Sequence, residues 1–262
     1  MNINRKVSTI LLLIVIAAAC LGYMFIKSLT AATSNKSYTA TDIQNIQVDV
    51  ENAKVHIESV EGRENKTEVE VVAKGKYDSS QISIDSNNNS LVIKQTGFHK
   101  PLNFNFNNSL DVYVKVQTTG TEPRLDQTFV SSQNGKIVVE HMNSRAIVVQ
   151  SENGAINLKE ITSDELSAHS TSGAIRLEEI ITAKLETKAD NGSSHIVFSD
   201  KLEKLNASST SSSGSIAYIL QNDIALDLKW KGKWDSNLKS DDTSPNKIVM
   251  ESDSGNMSVN RK

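Results

Sequence analysis

Carboxylates at a fixed spacing are the first residues here that could do chemistry. Glu160 and Glu179 stand 19 positions apart, with Glu178 and Asp200 close by in sequence. Two acids brought onto one strand face could serve as acid and base in glycoside cleavage. Lysines accompany them, Lys159 beside Glu160 and Lys201 beside Asp200, which is the composition of a solvated face. Fold alone is no warrant for activity, and no catalytic residue is assigned. His56, His99, His141, His169 and His195 include no pair at helical metal-ligand spacing and no HExxH. They read as surface histidines. Calcium-binding β-solenoids carry Gly-Gly-x-Gly-x-Asp repeats; none is present, and Asp190 and Asp253 stand alone. No metal and no cofactor is expected. Ser211 to Ser215 lacks both the lysine of a phosphate loop and the spacing of a nucleophile elbow. The aromatic residues Tyr218, Trp230 and Trp234 could form a platform for a sugar or peptide, although such rings usually fill or cap a core. A single cysteine, Cys20, excludes a disulfide framework and a Cys-based zinc site.

The elements that must position these residues come from a repeat. Ser132-Gln133-Asn134-Gly135-Lys136-Ile137 aligns with Ser151-Glu152-Asn153-Gly154-Ala155-Ile156 and with Ser170-Thr171-Ser172-Gly173-Ala174-Ile175. Gly192 follows at the same interval, Gly214 slightly later, and Gly255 after a gap with room for two repeats. Gly232 would mark the degenerate one in between. After each glycine comes an alternating apolar pair, such as Ile156/Leu158 and Ile175/Leu177, the pattern of a strand with one face inward. Ile147, Leu166, Leu185, Leu205 and Ile224 keep a similar beat. One unit of about 19 residues cannot bury its apolar face alone, so successive units must stack. The expected fold is all-β: a right-handed parallel β-helix, or β-solenoid, over 127–262 with repeats of about 19–22 residues. Gly135, Gly154, Gly173, Gly192, Gly214 and Gly255 are its corners, where glycine would supply a left-handed backbone. Asn134, Asn153, Ser172, Asn191, Ser213 and Ser254 would stack into a polar ladder. Six steps of ~4.8 Å make a segment roughly 29 Å long.

Residues 43–126 are also strand-rich but irregular in period. They form either early coils of the same solenoid or a small capping sheet, since an open end needs cover. Residues 27–42 read as a polar tether. Before them, Val7 to Ile26 is an uncharged run of about 20 residues, enough to cross a bilayer as a helix. Arg5 and Lys6 precede it, favouring a cytoplasmic N-terminus over 1–6 and an extracytoplasmic remainder. The expectation is an uncleaved single-span anchor in the cell membrane. A cleavage site after Ala32 and acylation of Cys20 are the alternatives. The net charge of −3 offers no basic excess for a polyanion, so nucleic acid is not an expected partner.

An anchor, strands closing with Leu110-Asp111-Val112-Tyr113-Val114-Lys115-Val116, and repeats of the type Ser-x-Asn/Ser-Gly-x-Ile together resemble a bacterial putative-adhesin family of unknown function. That family includes LiaG-like membrane proteins found near cell-envelope stress regulators. The resemblance implies an extracytoplasmic β-solenoid that is adhesive or linked to envelope stress, and it brings no catalytic residue with it. The expected role is a non-enzymatic binding, adhesion or scaffolding module of the envelope, with a protein or glycan partner. A polysaccharide-active enzyme and a regulator of a membrane stress sensor are the alternatives.

Overall fold

The computed structural model describes residues 33–75, 77–96, 108–119 and 125–262. The span expected from Val7 to Ile26, Cys20 and His99 lie outside these residues. Among the described residues, no helix is long and apolar enough to cross a membrane. They form β1 (Thr33–Thr41), β2 (Asn45–Val50), β3 (Lys54–Glu61), β4 (Lys66–Lys74), β5 (Ile82–Asn87), β6 (Ser90–Gln95), β7 (Ser109–Thr118), β8 (Leu125–Ser132) and β9 (Ile137–Glu140). These are followed by β10 (Asn143–Ser151), β11 (Ile156–Ser170), β12 (Ile175–Ala189), β13 (Ser194–Phe198), β14 (Asn206–Ser211), β15 (Ile216–Leu220), β16 (Asp227–Ser236) and β17 (Lys247–Arg261). One 3-10 turn, Ser79–Gln81, lies between β4 and β5.

The strands wind as coils with two faces. On one face β6, β2, β8, β10, the second half of β11, the second half of β12, β14, the first half of β17 and β16 pair in parallel. On the other face β7, β3, β9, the first halves of β11 and β12, β13, β15, the second half of β17 and β16 do the same. Alternation drives this. In β2, Ile46, Val48 and Val50 are buried while Gln47 and Asp49 are exposed. Stacked residues form columns through the core, such as Val139, Leu158, Leu177, Ile196, Tyr218 and Val259. Each such side chain contributes roughly 1.5–3 kcal/mol by leaving water. The faces meet inside: Tyr218 Oη on β15 lies 2.5 Å from Ser209 Oγ on β14.

The segment 43–126 divides between its two expected forms. The coils β2/β3 and β6/β7 continue the parallel stack, whereas β5 on β6, β4 on β7 and β1 on β4 pair antiparallel and cover its first end. The hairpin from β5 to β6 turns at Asn88 and Asn89, both at positive φ, as a tight two-residue turn requires. Residues 27–42, expected as a tether, include β1 from Thr33 onward. Its polar alternation gave no strand signal because as an edge strand it buries little, only Ala40 deeply.

Two register expectations are corrected. Leu185 is in register with Ala207 and then Ile248, not with Leu205 and Ile224. The extra residues around Leu202 lengthen that coil, so Leu205 enters the core ahead of its strand. The coil of Gly232 also does not lie between those of Gly214 and Gly255. β17 stacks directly on β14 and β15, and β16 stacks on the far side of β17. The last strand of the chain is thus the last but one in the stack. Chain order is likewise broken at the first end, where β2/β3 sits between the later β6/β7 and β8/β9.

Candidate functional site

The glycine corners are sites of close approach between coils. Gly135, Gly154, Gly173, Gly192, Gly214 and Gly255 do not have left-handed φ; among the described glycines only Gly75 and Gly232 have positive φ. The expected reason for glycine therefore fails, and another replaces it. A Cβ on Gly154 would lie 1.9 Å from the carbonyl oxygen of Gly135, and one on Gly173 would lie 2.1 Å from that of Gly154. Gly135 meets the backbone of Ala53 in the same way, so Ala53 is the corner of the β2/β3 coil.

The serine three residues before the glycine shapes the bend. Ser151, Ser170 and Ser252 each accept a hydrogen bond from the amide of the following glycine, at 2.8–2.9 Å. Ser170 also donates to the Gly154 carbonyl of the neighbouring coil. In the coil of Gly192 this position is Ala189, buried and without a hydroxyl. The polar ladder runs outside the bend: Asn153 donates to Asn134 at 2.8 Å and Asn134 to Asn52 at 3.0 Å, with Ser213 donating to Asn191 farther along. Beside it lies a trough of about 500 Å³ lined by Glu51, Gln95, Gln133, Glu152 and His169 among others.

The opposite corner holds the candidate acids. His141, Glu160 and Glu179 occupy equivalent places in three coils, and all three have positive φ, 52–56°. They line a groove of about 460 Å³ with Asp200 and Lys201. Glu160 pairs with Lys159 at 3.3 Å and His141 at 3.4 Å, and Glu179 accepts a hydrogen bond from Gln221 at 2.6 Å. Glu178 lies apart, bonded to Arg176 at 2.6 Å. The structure thus brings three of the four acids together, at a bend where their carboxylates are partnered by neighbouring side chains or stand beside lysine.

The aromatic trio is split. Tyr218 is fully buried, packed edge-on against Phe198 at 5.5 Å and bonded to Ser209, which in turn bonds to Thr187. Burial pushes its phenol up to about 12, with the hydrogen bonds to Ser209 and Thr187 acting the other way. Trp230 and Trp234 are stacked on one another, centroids 4.5 Å apart and planes 8° from parallel. Both belong to the terminal strand β16, where Trp230 lies over Met250 and Trp234 over Met257. Trp234 packs on the core, and Trp230 is 47% exposed. The pair lids the end of the solenoid and presents one indole outward. The exposed edge of β16 carries Lys229, Lys231 and Lys233, the charge that keeps an edge strand from pairing indiscriminately.

Of the described histidines, His169 stands 3.8 Å from Asp190. His56 is different, because it joins Glu58 and Glu140, with one possible ligand atom from each lying within 4.8 Å of the others. Glu58 and Glu140 went unremarked in the sequence because they lie far apart along the chain. Only the register of β3 on β9 makes them neighbours.

Three solved structures are similar to the chain: a "putative adhesin" from Bacteroides fragilis (14% identity, 88% of this chain and 97% of that one, TM-score 0.49), another from Parabacteroides distasonis (13%, 89% and 98%, 0.48), and a "putative cell adhesion protein" from Clostridium sporogenes (11%, 88% and 100%, 0.42). No curated protein matches the chain. Residues 43–260, which take in the parallel coils, most of the antiparallel cover and the terminal lid, match the Toastrack DUF4097 family, and the chain belongs to that family.

Proposed function

We propose that the chain is a non-enzymatic binding or scaffolding module of the bacterial envelope, anchored by residues 7–26 with the solenoid on the extracytoplasmic side. The observation that carries this reading is the regular outer surface. Equivalent side chains recur coil after coil in register, and beside the asparagine ladder runs an open polar trough. A surface repeated at the spacing of stacked strands suits an extended or repetitive partner, such as a glycan strand or a stretched polypeptide. The outward face of Trp230 adds an apolar contact at one end. The acids of the opposite corner are engaged by Lys159, His141 and Gln221, which favours a structural part for them. A link to envelope stress belongs to the same reading, through capture of a membrane sensor.

The test is photo-crosslinking in intact cells from positions placed along the trough, for example at Gln133 and Glu152, with identification of what is captured. A recurrent envelope glycan or membrane protein, captured from the trough and not from β1, is the expected result. Turnover of an envelope polysaccharide by the purified protein, lost in Glu160→Gln or Glu179→Gln, would replace the binding reading with an enzymatic one.

A further inference from the structure

We infer that His56, Glu58 and Glu140 form a site for one divalent transition-metal ion, zinc or a close relative, on the outer face of the β3/β9 pair. His56 and Glu58 are two residues apart on β3 and so point to the same side. Glu140 stands directly beside Glu58 on β9. His56 Nε2 is 3.0 Å from Glu140 Oε2, and one ligand atom of each of the three residues lies within 4.8 Å of the others. In a tetrahedral zinc site with bonds of ~2.0 Å, ligand atoms stand about 3.3 Å apart, so small side-chain rotations close this set on an ion. One imidazole and two carboxylates leave a fourth position open toward solvent.

The energetics favour an ion here. Like charges side by side on adjacent strands repel each other, and Glu58 and Glu140 are neighbours of this kind on the parallel strands β3 and β9. The lysine in register with Glu140 is engaged elsewhere. Lys159 pairs with Glu160 at 3.3 Å. Lys115 is in register with Glu58 on the other side, and among the described residues no ion pair joins the two. Among the described residues no hydrogen bond or ion pair engages the Glu58 carboxylate. The three side chains are half-buried, and the Tyr113 ring on β7 stands beside the His56 ring, centroids 6.1 Å apart. An imidazole with carboxylates selects zinc, nickel or copper over calcium, which prefers six to eight oxygens.

The site stands apart from the binding role proposed above and is tested separately. Calorimetric titration of the full chain, freed of metal by chelator, with ZnCl2 should show one equivalent bound, and titration with CaCl2 should show none. His56→Ala, Glu58→Gln and Glu140→Gln should each weaken zinc binding about tenfold or more, while His195→Ala on distant β13 should leave it unchanged. Metal-free melting curves, matched to the parent, show that each variant is folded. Saturating zinc should raise the melting temperature of the parent and not that of Glu58→Gln, since an ion bound only to the folded state stabilises it. Absence of zinc binding, or binding that survives all three substitutions, overturns the inference.

Discussion

Substituting Gly154 separates two explanations of a solenoid corner. A Cβ at this position would lie 1.9 Å from the Gly135 carbonyl oxygen and 2.6 Å from its carbon, both backbone atoms without freedom to swing away. Since such contacts stay beyond about 3.0 Å in real structures, the two coils must part by roughly 1 Å at the bend. That stretches the flanking bonds from the Asn153 amide to Gln133, now 2.7 Å, and from the Ile137 amide to Ala155, now 2.9 Å. Weakening two hydrogen bonds costs about 1 kcal/mol each. Adding the lower end of the roughly 1–3 kcal/mol for overpacking gives about 3 kcal/mol for Gly154→Ala. The clash is steric, so Gly154→Asn should cost at least as much. At a left-handed glycine the penalty would be about 1–2 kcal/mol, and asparagine would be the milder change. The opposite corner supplies the control. Glu160 is left-handed at φ 52°, so Glu160→Gly should stay within about 0.5 kcal/mol of the parent, relief of strain offsetting the looser unfolded chain. Urea unfolding followed by far-ultraviolet circular dichroism measures all three. A Gly154→Ala protein as stable as the parent, or an asparagine variant clearly better than the alanine one, would refute the close-approach argument.

Four further outcomes are expected. Ala189→Ser should stabilise the protein by about 1 kcal/mol in the same urea assay, because it restores the hydroxyl that bonds the corner amide in other coils; Ser170→Ala should cost about 1–3 kcal/mol, leaving the Gly173 amide unpaired. Tyr218 makes stability fall at high pH: its folded pKa of about 12 lies above the unfolded value near 10, so its contribution is intact below pH 10 and is lost as pH rises toward 12. The total is about 2–3 kcal/mol at roughly 1.4 kcal/mol per unit, and Tyr218→Phe should flatten that decline in pH-dependent denaturation. Stacked Trp230 and Trp234 should give an exciton couplet in the circular dichroism spectrum; Trp230→Phe should abolish it, and so should removal of residues 247–262, which takes away the strand that β16 rests on.

The parallel coils were legible because each repeats the same demand. Ser, Asn and Gly at the bend, then apolar alternation, recur at a constant interval wherever neither corner has an insertion. The reading of the glycines failed at the level of cause, since left-handed backbone and close approach both ask for glycine and only coordinates separate them. Backbone left-handedness resides instead in His141, Glu160 and Glu179, where side-chain type gave no hint. Leu205 and Ile224 misled because their spacing copied the period while insertions moved the register. β1 was missed for a different reason: it is an edge strand whose alternation is polar. The candidate site was legible only in part. Trp230 and Trp234 stand together, but Tyr218 lies inside the core, because nearness along the chain is no guide when a strand turns inward. The trio of His56, Glu58 and Glu140 rests on pairing between distant segments, which a single sequence does not display.

The position of β17 bears on how the molecule is completed. A polypeptide emerging from its N-terminus can lay down the middle coils as they arrive, each on the one just made. The far end cannot close in that way, because the residues of β16 emerge first and must wait for the final segment to slide beneath them. The closing segment then works as a latch, and any chain clipped or stalled before about residue 247 is left with Leu220 and the Tyr218 layer facing solvent.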